Sequence, residues 1–206
     1  MMKKKIANWG NYPVVETEEK SFSFAGQLTE AVLQSDHVIA RGNGRCYGDA
    51  SLEKNTISTL KYDKVLSFDA ESGIFECQSG ITLDQILEVI VPKGWFLPVT
   101  PGTKFITVGG AVASDVHGKN HHVDGSFSAH VLEMDILLGS GETITCSPLV
   151  NNDLFWASCG GMGLTGIITR VKFDLKKIET SYIKQKQLKA ENLEEVIQLF
   201  EQYKHY

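Results

Sequence analysis

Several features that mark other classes of protein are missing from this sequence. The cysteines are few and far apart: Cys46, Cys77, Cys146 and Cys159. Without a Cys-x-x-Cys pair, a disulfide framework or a zinc knuckle is not expected, and a reducing cytoplasm is favoured. No apolar run approaches the ~20 residues of a membrane-spanning helix. The basic residues 3–5 lead into Ile6-Ala7-Asn8-Trp9 rather than an apolar stretch, so we expect no signal peptide.

An excess of basic residues is also missing. The chain has 25 acidic residues against 20 Lys or Arg, and its net charge is -5 at pH 7. Proteins that bind nucleic acid through phosphates usually show the opposite sign, so nucleic acid is not an expected partner. The 206 residues, 42% of them hydrophobic and 22% charged, suit a globular protein with one domain or two small lobes.

Proline is scarce and glycine is abundant, with five prolines against nineteen glycines. The glycines concentrate in residues 42–48, 102–110, 118–125 and 160–166. Glycine allows sharp turns and the close approach of backbone to a ligand. The clustering therefore indicates a bound cofactor.

The periodicity of apolar residues predicts short helices mixed with hairpins. Helices are predicted over residues 28–33, 82–92 and Val108–Ala113, after Asn152 or Asp153, and from Glu191 onwards. Strands are predicted over 37–40 and 166–175, and hairpins pair 65–69 with 74–77 and 131–138 with 143–146. This mixture indicates an α+β fold. We predict a βαβ-like first lobe (residues 1–65), a hairpin-rich second lobe (66–178) and a separate tail (179–206).

The first glycine loop, Gly42-Asn43-Gly44-Arg45-Cys46-Tyr47-Gly48, follows a predicted strand. Its glycine spacing differs from the dinucleotide fingerprint Gly-x-Gly-x-x-Gly, and the absence of Gly-Lys-Ser/Thr excludes a Walker P-loop. Backbone amides at such a turn can converge on an anion. An ordinary tight loop is the alternative.

The second loop leads into Thr107-Val108-Gly109-Gly110, at the start of a predicted helix. Free amide groups at a helix N-terminus would let a diphosphate lie against the two glycines. Tight packing of helix on sheet is the alternative. Two such loops in one chain favour a diphosphate cofactor.

Four of the six histidines lie between residues 117 and 130, beginning with the run His117-Gly118-Lys119-Asn120-His121-His122. The pattern His-Glu-x-x-His is absent and no carboxylate stands at helical ligand spacing, so we predict no metal site. A catalytic or ring-stacking role for His117, with Lys119 as a nearby cation, is the favoured reading. A solvated or buried side chain is the alternative for each. The turn at 160–166 is uninformative alone, and Cys159 beside it is expected to be buried.

Together, and in this order, these segments resemble the vanillyl-alcohol oxidase superfamily of flavoproteins, whose PCMH-type FAD-binding domain has two α+β lobes. The resemblance covers residues 8–178. Within the superfamily the segments are most similar to the decaprenylphosphoryl-β-D-ribose 2′-oxidases, and more distantly to alditol and sugar-lactone oxidases. The segments that carry it are Asn8-Trp9-Gly10, residues 42–49, Thr100-Pro101-Gly102-Thr103, residues 115–122 and residues 160–168.

The resemblance implies a site for FAD. It assigns the diphosphate and ribityl chain to residues 40–50 and 107–110, the flavin ring to 114–117 and the adenine to the backbone around Ile167. Tyr47, His117 and Lys119 are the implied catalytic or substrate-side residues. The implied cofactor-binding residues are Ala40, Arg41, Gly42, Asn43, Gly44, Arg45, Cys46, Tyr47, Gly48, Asp49, Ala50, Gly102, Thr107, Val108, Gly109, Gly110, Ser114, Asp115, Val116, His117 and Ile167.

The resemblance also implies that FAD is bound without a covalent link. In the covalent members of the superfamily a histidine of the first glycine loop attaches to the flavin. Arg45 occupies that position here. Cys46, its neighbour, is the alternative attachment point.

The resemblance also implies which reaction the protein catalyses. The expected reaction oxidises a secondary hydroxyl of a sugar, with a polyprenyl-phosphate-linked pentose as the favoured substrate and an NAD(P)-dependent reductase as partner. The expected location is the cytoplasm, at the membrane surface where a lipid-linked substrate lies. The alternatives are an alditol or sugar-lactone oxidase that uses oxygen, and a non-catalytic flavin-binding module.

In this family a C-terminal half caps the flavin, and we expect residues 179–206 to be its beginning, cut at Tyr206.

Overall fold

The first sheet contains the first four strands of the chain. The computed structural model describes residues 3–204. The strands are β1 (Lys3–Ile6), β2 (Val15–Ser21), β3 (Ile39–Arg41) and β4 (Asn55–Ser58), and they lie in the order β1-β2-β4-β3. Helix α1 (Ala25–Leu33) connects β2 to β3, and both strands pair in parallel with β4. The sheet is therefore a βαβ unit with the antiparallel strand β1 at one edge.

The second sheet is antiparallel throughout. The remaining strands are β5 (Val65–Asp69), β6 (Ile74–Gln78), β7 (Trp95–Phe96), β8 (Val131–Leu137), β9 (Thr143–Cys146), β10 (Ile167–Asp174) and β11 (Lys176–Lys177). Five of them form a sheet in the order β5-β6-β10-β8-β9, and β7 pairs separately with β11. The chain changes from the first sheet to the second between residues 58 and 65.

Five further α-helices lie in residues 3–204: α2 (Leu83–Ile90), α3 (Val108–Ala113), α4 (His121–Asp124), α5 (Asn152–Ser158) and α6 (Leu193–Gln202). Helix α2 begins at a capping box, because Thr82 and Gln85 each bind the other's backbone N–H through their side chains. Its buried face consists of Leu83, Ile86 and Ile90. No helix in this part of the chain is long and apolar enough to cross a membrane.

The main core lies between the second sheet and helices α2, α3 and α5. Strand β10 alternates as a half-buried strand should: Val171 and Phe173 are buried, and Phe173 contacts the rings of Phe75 and Phe127. On the other face of β10, Arg170 forms ion pairs with neighbouring strands. Its carboxylate partners are Glu76, Glu133 and Asp135.

A second, smaller core joins the two sheets. Leu137 of β8 and Ile167 of β10 pack with residues of the first lobe. Those residues include Leu28 and Val32 of α1 and Ile57 of β4. Apolar side chains from both sheets are buried together here. Separating the sheets would expose this apolar surface to water, which is unfavourable, so the two sheets stay packed against each other.

The predicted α+β fold is confirmed, and the two hairpins and the helices α1, α2, α3 and α6 form where they were expected. The predicted cap of α5 is wrong: the N-cap is Asn151, not Asn152 or Asp153. Asn151 is in the left-handed region, and its side chain donates to Thr145 O, so it is bound to β9 rather than to the helix. The strands β1, β2 and β4 were not predicted. In β2 the buried position is Thr17 among charged residues, and this hides the usual apolar alternation.

Candidate functional site

A cavity of about 860 Å³ lies where the glycine-rich segments meet. Most of the predicted site residues are on its wall: Ala40, Gly42, Asn43, Gly44, Arg45, Cys46, Tyr47, Gly48, Asp49, Ala50, Gly102, Thr107, Gly109, Gly110, Ser114, Val116 and His117. Five predicted residues are not on it: Arg41, Val108, Asp115, Lys119 and Ile167. The geometry of each segment explains the difference.

The first glycine loop leaves its backbone donors free. The amide groups of residues 43–48 donate to no protein acceptor within residues 3–204. Gly44 has φ 61, a conformation that favours glycine. A run of unpaired amides at a turn is suited to bind an anion, and these residues are half-buried or exposed, so a ligand can reach them.

Arg41 lies behind this loop rather than on the cavity wall, which corrects its predicted contact with the cofactor. Its guanidinium donates to Ala7 O, Asn8 Oδ1 and Ser51 Oγ. A Cβ on Gly44 would lie 2.8 Å from Arg41 Cζ, so the guanidinium is directly beneath that glycine. Burial lowers the pKa of Arg41. Within the described chain no carboxylate lies at ion-pair distance from it, and Glu19 acts on it from farther away by raising its pKa, so its positive charge supports an anion at the loop.

The second loop does not offer the free amides that its sequence suggested. Val108 N donates to Ile81 O, Gly109 N to Ser79 O and Gly110 N to Thr107 Oγ1. The expectation that the amides at the start of α3 are free is therefore wrong, while the contact of residues 107–110 with the cofactor stays a prediction, and Thr107, Gly109 and Gly110 lie on the cavity wall. Val108 is fully buried in the core. The alternative of close packing between helix and sheet describes this segment.

The third segment is held in place by Asp115. Its carboxylate accepts hydrogen bonds from Ser126 Oγ and Ser128 N, both at 2.9 Å. Asp115 has φ 38, a strained conformation for a residue other than glycine that Asp tolerates better than most. The carboxylate thus points away from the cavity. It fixes the turn that brings its neighbours Ser114, Val116 and His117 to the wall.

The two predicted polar residues of this segment differ in position. His117 is exposed on the cavity wall and forms an isolated antiparallel bridge with Ser126. Lys119 is exposed but lies off the wall. The rings of His117, His121 and His122 follow one another edge to face, with centroids 5.4 and 5.9 Å apart. Among residues 3–204 no group of three or more His, Cys, Asp or Glu side chains is arranged to hold a metal ion.

Two aromatic residues mark the open side of the cavity. Tyr47 is 82% exposed while still belonging to the wall. Trp9 lies under the guanidinium of Arg45, whose Cζ is 5.3 Å from the ring centroid, a cation–π distance. Both side chains leave this side accessible to a second molecule.

The fourth segment closes the wall beside α3. Gly160 N and Met162 N donate to Val112 O and Ala113 O at the end of that helix. Met162, Gly163, Gly166 and Ile168 line the cavity. Ile167 packs instead in the core between the sheets and is not on the cavity wall, while its neighbours Gly166 and Ile168 are.

Several wall residues were not predicted from the sequence: Ser51, Thr59, Ser79, Ile106, Ala113 and Met162. Thr59 and Ser79 each follow directly after a strand, β4 and β6. A small polar residue at the end of a buried strand is the signal that could have found them. The others carry no local signal.

The residues of the cavity fit a large cofactor that contains phosphate. The volume lies in the range of about 300–1,000 Å³ usual for cofactor sites. A Cβ on Gly48 or Gly102 would meet no atom of another residue beyond its chain neighbours within 4 Å, so there is open space beside both glycines. Ser79 Oγ is buried without a hydrogen-bond partner in residues 3–204, and the amides of residues 43–48 are unpaired.

Comparison with known proteins identifies the family. The model of a family described as "FAD binding domain" matches residues 27–147, more than half of the chain. Decaprenylphosphoryl-beta-D-ribose oxidase of Mycolicibacterium smegmatis is 37% identical over 87% of this chain and 41% of its own length. A putative D-arabinono-1,4-lactone oxidase of Neurospora crassa is 31% identical over 66% of this chain and 24% of its own length.

Cytokinin dehydrogenase 2 of Arabidopsis thaliana is 33% identical over 67% of this chain and 28% of its own length. The chain thus spans less than half the length of these relatives. The resemblance noted in the sequence and the prediction of FAD as cofactor are confirmed by the family match. The chain belongs to the family of PCMH-type FAD-binding domains.

Proposed function

We propose that this chain is the FAD-binding part of an oxidoreductase, and that the cavity is where FAD binds. The observation that carries the proposal is the first glycine loop, whose unpaired amides at residues 43–48 line a cavity of about 860 Å³. Arg41 adds a positive charge beneath the loop, where its guanidinium is held by hydrogen bonds to Ala7 O and Ser51 Oγ. These groups suit a diphosphate.

The other residues of the wall would position the cofactor and exclude water from one side of it. Asp115 holds the turn that carries Ser114 and His117, so the backbone there has one conformation to present to a planar ring. Tyr47 stands at the open side, where a substrate would enter. Lys119 lies off the wall but in the same segment as His117, and we keep it as a candidate substrate-side cation. Bound FAD supplies the capacity to accept a hydride from an alcohol.

The proposed substrate is a sugar with a secondary hydroxyl, and more narrowly a pentose linked to a polyprenyl phosphate. The support is the 37% identity to an enzyme named for a decaprenylphosphoryl ribose. Such a substrate would bring the protein to the cytoplasmic membrane surface, and its keto product would require a reductase that uses NAD(P)H. The proton of the hydroxyl needs an acceptor, which we assign to residues outside the described cavity wall.

Cofactor binding is tested by fluorescence titration of the purified chain with FAD, FMN and NAD. We expect tight binding of FAD and little of the other two, because the first loop suits a diphosphate and residues 163–168 extend the wall beyond it. Equal affinity for FAD and FMN would contradict the proposal that diphosphate and adenine are both held.

The reaction is tested in a longer protein that includes this chain and the remainder of its relatives' length. Under anaerobic conditions a lipid-linked pentose should bleach the flavin absorbance. Bleaching by a free sugar lactone or alditol, with peroxide formed in air, would support an oxidase of soluble sugars instead, and no bleaching by either would leave a flavin-binding module. Residues 1–206 alone should not turn over the substrate. Small misplacements of the reacting carbon greatly slow the reaction, and the cavity wall of this chain contacts the substrate from one side only.

A further inference from the structure

Ser79 is a wall residue of the cavity whose hydroxyl has no partner. It follows β6 directly and is 1% exposed. Its N–H donates to Thr169 O at 3.0 Å, and its carbonyl oxygen accepts from Gly109 N at 2.8 Å. The backbone of Ser79 is thus satisfied on both sides. Its Oγ is the buried side-chain atom left without a hydrogen bond in residues 3–204.

A buried hydroxyl without a partner destabilises a protein, so native structures nearly always satisfy it. Ser158 of α5 shows the ordinary arrangement at the same burial, 1% exposed. Its Oγ donates to Leu154 O and shares a hydrogen bond with Thr165 Oγ1, both at 2.7 Å. Alanine in place of Ser79 would remove the unsatisfied group and keep the packing, so the hydroxyl has no structural reason to be there.

Ser79 lies where the two glycine loops come together. Gly109 is close enough that a Cβ on it would lie 2.9 Å from Ser79 Cβ. Gly42 of the first loop abuts Thr107 at the start of α3, since a Cβ on Gly42 would lie 3.1 Å from Thr107 Cγ2. The amides at the start of α3 are already paired. Next to the second loop, the Ser79 hydroxyl is therefore a hydrogen-bond donor that has no acceptor.

We propose that Ser79 is an FAD-binding residue whose hydroxyl donates a hydrogen bond to a phosphate oxygen of the cofactor. The proposal rests on the placement of FAD in this cavity under the proposed function. Serine χ1 has three staggered rotamers, so the hydroxyl can turn to the ligand while the backbone bonds to Thr169 and Gly109 stay in place. The cost of the unsatisfied group in the free protein is then removed when FAD binds.

The test compares Ser79→Ala with Ser158→Ala, two buried serines that differ in whether the hydroxyl is bonded. Without FAD, Ser79→Ala should melt at or above the wild-type temperature, and Ser158→Ala below it. With FAD, Ser79→Ala should raise the dissociation constant by about ten- to a hundredfold, the loss of one hydrogen bond to a charged group. Ser158→Ala should bind FAD as tightly as wild type at a temperature where it is folded.

Phosphorus NMR of bound FAD locates the contact. At saturating Ser79→Ala protein, one of the two diphosphate resonances should shift relative to the wild-type complex. Weaker binding with unchanged resonances would overturn the assignment to phosphate. A free Ser79→Ala protein that is less stable than wild type, or one that binds FAD equally well, would overturn the role of the hydroxyl while the cavity remains the FAD site. Failure of wild type itself to bind FAD would reject the site and the inference together.

Discussion

Gly80 should be among the least replaceable residues of this domain, although it is not on the cavity wall. A Cβ at this position would lie 2.6 Å from Tyr62 O and 2.7 Å from Thr59 C, and closer still to Thr59 O. All three are backbone atoms of the segment that connects the two sheets, so no side chain can rotate away. Gly80 N also donates to Tyr62 O at 2.8 Å. Alanine would therefore push the end of β6 away from the end of β4.

The magnitude follows from two contributions. Overpacking against fixed neighbours costs about 1–3 kcal/mol and sometimes more, and loss of the Gly80 hydrogen bond adds about 0.5–1.5 kcal/mol. We expect Gly80→Ala to lose about 3–4 kcal/mol of unfolding free energy, a large part of the ~5–15 kcal/mol of a typical domain. With a urea m-value of about 2 kcal/mol per molar, the unfolding midpoint should fall by about 1.5–2 M.

The assay is urea denaturation followed by circular dichroism, with Gly139→Ala as the control. Gly139 lies in the turn between β8 and β9, where an added Cβ meets no atom within 4 Å, so its midpoint should stay close to that of wild type. FAD affinity should also fall in Gly80→Ala, because Thr59 and Ser79 on the two sides of the contact are wall residues. A Gly80→Ala midpoint equal to that of Gly139→Ala would refute the reasoning.

Three further results are expected. Gly109→Val should abolish FAD binding, because its Cβ would displace Ser79 from the cavity wall, whereas His117→Ala should only weaken binding. If both variants gave the same FAD titration curve as wild type, the cofactor would have been placed wrongly. Acid precipitation of the FAD complex should leave the flavin in the supernatant, since the family resemblance implies Arg45 rather than histidine at the attachment position. Flavin retained by the polypeptide would point to Cys46. Iodoacetamide at pH 8 should modify Cys46, on the wall, before the other cysteines, and bound FAD should protect it. Burial raises the pKa of Cys159 to about 12 and of Cys146 to about 11, and it raises the pKa of Cys77 further; equal labelling of Cys46 and Cys159 in peptide mass spectra would contradict this.

The parts of the fold that the sequence predicted well are those formed by neighbours in sequence. Helix α2 needs only Thr82, Gln85 and its own apolar face, and the hairpin of β5 and β6 needs only its alternation and its turn. The first glycine loop was likewise visible, because glycine spacing is a local property. Strands β2 and β4 were missed because part of what they bury is polar: Thr17 and Thr56 are buried against each other, and Ile57 is a single apolar residue without an alternating pattern around it.

The sequence by itself determined the α+β class, the glycine-rich segments and the family, since each depends on residue types at fixed spacing. Only the tertiary structure decided which of those segments offers donors to a ligand. The glycines at 109 and 110 looked like an anion site, yet their amides are bonded to Ser79 O and Thr107 Oγ1. Ser79 carried no motif, yet strand pairing places it among the wall residues with its hydroxyl unbonded. The partner of Gly110 N is the local N-cap residue Thr107, but Gly109 N is bonded to Ser79 O at the end of β6, and no pattern near Gly109 in the sequence encodes that distant partner.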